Sequence, residues 1–110
     1  MYRFYTKQSK QVVIKVEGRG IMFLYFAVNG QLADPFQVGQ SWSDLHALLS
    51  KLRNQQIYDA HEDSFSAWKQ DEELSIRFRT MDMPLEETLT FSREMTAKVL
   101  AALETLPNLN

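Results

Sequence analysis

The chain has 110 residues, 45% of them hydrophobic and 24% charged, with 7 Phe, 4 Tyr and 2 Trp and a formal net charge of −2 at pH 7. That length suits one domain over residues 1–110, and the aromatic content is the reverse of a disordered chain's. The absence of cysteine excludes a disulfide scaffold, thiolate catalysis and thiolate zinc sites. The opening Met1-Tyr2-Arg3-Phe4-Tyr5 has neither the charged head nor the apolar run of a signal peptide. The longest apolar run, Ile21 to Val28, is far short of the roughly 20 residues a membrane helix needs. A soluble, cytoplasmic protein without a membrane partner is the expectation.

In Gln11 to Glu17, Val12, Ile14 and Val16 alternate with Val13, Lys15 and Glu17, the two-residue period of a half-buried strand. Gly18-Arg19-Gly20 turns the chain into Ile21 to Val28, which is apolar on both parities. Asn29-Gly30 is a strong hairpin signal, because both turn residues must accept positive φ. Gln31 to Val38 forms a third strand, which Asp34-Pro35 moves towards a sheet edge, and Gly39-Gln40-Ser41 ends the meander. Ser41 then caps a helix that runs to about Gln55, with Leu45, Leu48, Leu49 and Leu52 as its apolar stripe.

Ile57 to Ser64 is a polar, acidic connector, and Phe65 to Lys69 is a short strand before the turn Gln70-Asp71-Glu72. Glu73 to Thr80 is the clearest strand, with Leu74, Ile76 and Phe78 on one side and Ser75, Arg77 and Arg79 on the other. After Met81 to Pro84 the chain returns as Leu85 to Phe91, with Leu89 and Phe91 inward. Ser92 caps a last helix with Met95, Val99, Leu103 and Leu106 buried and Glu94 and Lys98 as an i,i+4 pair; Pro107 closes it.

The fold class expected is α+β, an antiparallel meander sheet with two helices packed on one face. It divides into two β-meander-α halves, with Phe26, Phe36 and Ser41 of the first half aligned on Phe78, Leu89 and Ser92 of the second. If Tyr2 to Thr6 and the segments around Tyr58 and Phe65 are strands, the order is four strands and a helix, twice. That order is similar to the layouts of the PUR-repeat and Whirly families. The likeness covers the whole chain and rests on element order alone, with no residue motif.

The central strand asks for an explanation, because an antiparallel sheet backed by helices on one face is normally polar on the other. With Met22, Leu24, Phe26 and Val28 turned to the helices, Ile21, Phe23, Tyr25 and Ala27 remain on the opposite face. The sheet can curl and bury them, a second copy can cover them, or a ligand can. Ile21, Phe23 and Tyr25 are therefore the candidate interface.

Charge is uneven: residues 1 to 20 carry Arg3, Lys7, Lys10, Lys15 and Arg19 against Glu17, a balance of +4, leaving −6 on the rest. Such a segment suits an acidic partner, or simply solvates an edge strand. A basic groove with aromatics is also how single strands of nucleic acid are held, and Arg3, Tyr5, Lys7, Lys10, Lys15, Arg77 and Arg79 are the candidates for that role; the acidic pI of 5.6 argues against it.

No catalytic, metal or cofactor motif emerges. Asp59-Ala60-His61-Glu62-Asp63 matches neither a calcium loop nor H-E-x-x-H, and Gly18-Arg19-Gly20 lacks the third glycine of a dinucleotide loop. The function expected is a non-enzymatic binding or regulatory module acting by protein–protein contact as a homodimer. Single-stranded DNA or RNA binding is the first alternative, and a small enzyme using His46 or His61 is the second.

Overall fold

The computed structural model describes residues 2–25, 36–60, 64–79 and 86–106, the side chains of Tyr25 and Phe36 excepted. Ten elements follow in order: β1 (Tyr2–Tyr5), β2 (Gln11–Glu17), β3 (Gly20–Tyr25), β4 (Phe36–Ser41), α1 (Trp42–Arg53), β5 (Tyr58–Ala60), β6 (Phe65–Gln70), β7 (Glu73–Arg79), β8 (Glu86–Thr90) and α2 (Arg93–Thr105). The expected α+β class with antiparallel meanders stands. The strands divide between two four-stranded sheets, β1-β2-β3-β4 and β5-β6-β7-β8. Among the described residues, no helix is long and apolar enough to cross a membrane.

Local chemistry sets the element ends. The β6–β7 turn places Asp71 and Glu72 at φ of 52° and 65°, the left-handed pair a two-residue hairpin requires. Ser41 and Ser92 begin the two helices with nearly the same backbone (φ −63°, ψ 165° and φ −60°, ψ 165°). The Asp44 amide donates to Ser41 Oγ at 3.1 Å, and the Ser41 amide donates back to the Asp44 carboxylate at 3.3 Å. A reciprocal cap of this kind satisfies two helix-end donors and stabilises by about 1 kcal/mol.

Each sheet turns one face into a common core. Phe23, Phe65, Phe78 and Phe91 are its largest fully buried side chains. The rings of Phe23 and Phe65, one from each sheet, lie 5.2 Å apart, and Phe65 meets Phe78 edge-on at 5.6 Å. α1 contacts β3 and β4 of the first sheet and β5 and β6 of the second, while α2 contacts β7 and β1. Both helices thus bridge the sheets, and their stripes (Leu45, Leu48, Leu49 and Leu52; Val99 and Leu103) fill the space between. Buried Thr96 on α2 accepts from the Leu74 amide at 2.9 Å and donates to the Phe91 carbonyl, which fixes the helix to β7.

Cross-strand register reverses the expected facing of β3. Ile14 pairs with Phe23, Lys15 with Met22 and Val16 with Ile21. Directly paired residues share a face. β2 buries Val12 and Ile14 and exposes Lys15, so Phe23 and Ile21 go inward and Met22 goes outward. Ile21 and Phe23 are 1% and 0% exposed, whereas Met22 and Leu24 are only partly buried. The expected strand at Gln31 to Val38 extends past its expected end: residues 31–35 lie outside the described residues, and β4 runs on to Ser41, through the glycine read as its end. It can do so because Gly20 pairs with Ser41 at close quarters; a Cβ on Gly20 would lie 1.9 Å from the Gln40 carbonyl oxygen. Phe26 to Val28, Asn29-Gly30, Met81 to Pro84 and Pro107 lie outside the described residues.

The halves repeat, with a different alignment from the one expected. Val12↔Tyr25↔Phe36 in the first half corresponds to Phe65↔Phe78↔Glu87 in the second, counting from the two cap serines. Phe78 is therefore matched by Tyr25, and Leu89 by Val38. The β1–β2 turn clasps the second sheet: the Lys7 amide donates to the Thr90 carbonyl at 2.7 Å, and the Thr90 amide donates to the Gln8 side chain at 2.9 Å.

The facing of β3 has a direct energetic consequence. Phe23→Ala should lower unfolding free energy by about 3–5 kcal/mol, and Leu24→Ala by about 1 kcal/mol, as read from urea denaturation. Equal losses would contradict the register.

Candidate interaction surface

The outer faces of the two sheets carry different chemistry at equivalent positions. On the first, Arg3, Val13, Leu24 and Gln37 form one cross-strand row, and Lys15, Met22 and Gly39 form the next. On the second, the corresponding rows are Asp59, Ser66, Arg77 and Thr88, and Trp68, Ser75 and Thr90. Aliphatic Val13, Leu24 and Met22 therefore stand where the second half has Ser66, Arg77 and Ser75.

The second outer face satisfies much of its own polarity. Arg77 Nη2 donates to Ser66 Oγ at 2.9 Å, Ser66 Oγ donates to the Asp59 carboxylate at 2.6 Å, and the Ser75 and Thr90 hydroxyls bond at 3.0 Å. Arg77 Nε is buried and has no hydrogen-bond partner among the described residues. The first outer face has no such network among the described residues. Its Val13 is buried, Met22 and Leu24 are partly exposed, and Tyr5 at its margin is 59% exposed. Gly39 leaves the Met22 thioether without a neighbouring side chain on that strand; a Cβ there would meet Met22 Cε only at 3.7 Å. A depression of about 360 Å³ lies there at the end of the sheet, bordered by Glu17, Arg19, Gly20, Met22, Gly39 and Ser41.

The residues singled out in the sequence separate accordingly. Ile21 and Phe23 lie in the core of the single chain, so neither offers an interface; the Tyr25 side chain lies outside the described residues. Of the seven nucleic-acid candidates, Arg3, Tyr5 and Lys15 come together on the outer face of the first sheet. Lys7 is ion-paired with Glu73 at 2.8 Å and Lys10 with Glu87 at 2.6 Å, both across the halves. Partly exposed pairs of this kind contribute about 0–1 kcal/mol each. Arg77 is held by Ser66, with Asp59 at 3.9 Å, and exposed Arg79 shares the second outer face. His46 is exposed on α1, and His61, Glu62 and Asp63 lie outside the described residues. Among the described residues, no group of three His, Asp or Glu side chains is placed to hold a metal ion.

A second cleft, of about 430 Å³, lies where the halves meet and is lined by Lys7, Gln8, Asp71, Glu73, Ser75 and Thr90. Its polar groups are largely paired with one another through the Lys7–Glu73 and Ser75–Thr90 contacts. Across the molecule's other junction, the Tyr58 hydroxyl donates to the buried Gln40 side chain at 2.6 Å and ties β4 to β5. Burial pushes the Tyr58 phenol above its ordinary value, and the Asp44 carboxylate adds to the rise.

Comparison with protein-family models, with curated proteins and with solved structures gives no match. The interaction surface therefore rests on the geometry above. Val13, Met22, Leu24 and Gly39 are the residues of this face that the sequence reading did not select. The signal was present in Val13, the one apolar residue of β2 on the parity of Lys15 and Glu17.

The Tyr58 bond has a pH signature. A phenol whose folded value is raised binds its proton more tightly in the folded chain. Its stabilisation is complete below the ordinary phenol value of about 10 and is lost as pH rises through the folded value. Tyr58→Phe should cost about 0.5–1.5 kcal/mol at neutral pH and should flatten the alkaline fall in stability relative to the parent. An unchanged alkaline fall would show that Tyr58 does not carry it.

Proposed function

We propose that this chain is a non-enzymatic binding module that acts by protein–protein contact through the outer face of its first sheet. One observation carries the reading. Val13 and Leu24 of one cross-strand row and Met22 of the next are apolar at positions where the equivalent face of the second half is hydrogen-bonded and polar. Apolar side chains gathered on an outer sheet face are a recurrent feature of contact surfaces.

The contact is heterotypic. A twofold dimer places the same patch of each copy against the other. Through this face it would gather Arg3 and Lys15 of both copies in one interface, with Glu17 as the acid each copy brings, an excess of like charge that costs affinity. Single-stranded nucleic acid finds less support, because Lys7 and Lys10 are already paired with glutamates and the two arginines of β7 lie on the other sheet.

Light scattering at tens of micromolar should return the monomer mass of 12.8 kDa. Affinity capture from the native cell should enrich a protein partner that the Leu24→Glu chain loses while still folding cooperatively, with its thermal midpoint lowered by about 4–8 °C. A stable dimer would overturn the heterotypic contact, and equal capture by both chains would overturn the choice of face.

A further inference from the structure

We propose that the partner offers an acidic, extended peptide segment, with an apolar side chain entering the depression at Met22 and Gly39 and carboxylates meeting Lys15 and Arg3. This rests on the reading of the first outer face as the binding surface and names the chemistry of what it binds.

Charge complementarity carries the step. The chain has a net charge of −2, yet its first 20 residues hold five of its cations. Lys7 and Lys10 are spent on Glu73 and Glu87 across the halves. Arg3, Lys15 and Arg19 form no ion pair among the described residues, and Glu17 is the acid that shares their side of the sheet. The face thus keeps a positive balance on a negative molecule.

The spacing suits an extended chain. Lys15 pairs directly with Met22, so a carboxylate over Lys15 and an apolar group at Met22 lie one strand apart. Arg3 lies diagonally from Lys15 across β1 and β2, through the Arg3–Val13 pair. In an extended peptide, alternate side chains point the same way and fall about 7 Å apart, within reach of flexible lysine and arginine heads. Gly39 matters because any larger residue there would fill the space beside the Met22 thioether. The aliphatic centre favours a peptide over a nucleic acid strand, whose bases stack on aromatic rings; Tyr5, at the margin, is the aromatic residue that the described residues place on this face.

The test uses the full chain, isotope-labelled, and follows backbone amide shifts during titration with three short peptides of the pattern X-Ser-Leu-Ser-X, with X glutamate, lysine or serine, which set leucine and X on one side of an extended chain. A thymidine oligonucleotide is the fourth probe. The Glu/Leu peptide should shift amides of Val13, Lys15, Gly20 to Leu24 and Gly39 and bind most tightly. Lys15→Glu should weaken it by about tenfold, as should Gly39→Val, with little change in the thermal midpoint, and added salt should weaken it further. Equal binding of the Lys/Leu or Ser/Leu peptide at these residues would keep the surface but overturn the acidic partner. Shifts by the oligonucleotide alone would overturn the peptide in favour of nucleic acid. No shift at these residues with any probe would overturn both the partner and the surface.

Discussion

The pairing of Ile14 with Phe23 decides the rest of the molecule. β2 has one face that must be buried, Val12 and Ile14, and one that must be wet, Lys15 and Glu17. β3 is apolar on both parities and has no preference of its own. Antiparallel register transmits the choice of β2 to β3, and Phe23 turns inward to meet Phe65 at 5.2 Å. A slip of one residue would exchange the faces. It would set Phe23 opposite Val13 or Lys15 and expose it, separate the two sheets at their closest aromatic contact, and bury Met22 opposite Ile14 or Val16.

The joined core makes the two halves one unit despite their repeated layout. Each helix touches strands of both sheets, and the Gln40–Tyr58 bond and the Lys7 and Lys10 ion pairs close the junctions. Inside, equivalent positions keep the same character: Tyr2 and Tyr58, Ile21 and Leu74, Phe23 and Ile76, Val38 and Leu89. Outside, they part. The second sheet's outer face links Asp59, Ser66 and Arg77 by hydrogen bonds. The first keeps apolar Val13, Leu24 and Met22 beside cations that form no ion pair among the described residues. Core positions are constrained by packing in both halves, whereas an outer face is free to acquire a task.

Much of the architecture was legible in sequence because its signals are local. Ser41 and Ser92 mark helix starts, the leucine stripe of α1 has helical period, and the alternation in β2 and β7 is unambiguous. The division into two sheets was not legible, since periodicity records which face is buried and not which strands share a sheet. The facing of β3 was not legible either, for the same reason that it matters: both parities are apolar, and only the partner strand distinguishes them. β5 is three residues long, too short for a pattern. The continuation of β4 through Gly39 to Ser41 depends on how closely Gly20 lets the strands approach, a tertiary fact. The candidate surface was missed as a consequence of the β3 facing, although Val13 stood out of phase in β2.

The account therefore turns on which side chains of β3 face water. The chain contains no cysteine, so a single introduced thiol reports on one position alone. The direct measurement is the native-state labelling rate of Ile21→Cys, Met22→Cys, Phe23→Cys and Leu24→Cys with a water-soluble thiol reagent. Positions 22 and 24 should react readily in the folded protein, and positions 21 and 23 only as fast as the chain opens. The opposite ranking would place Ile21 and Phe23 on the surface and contradict the register, the shared core and the proposed binding face together.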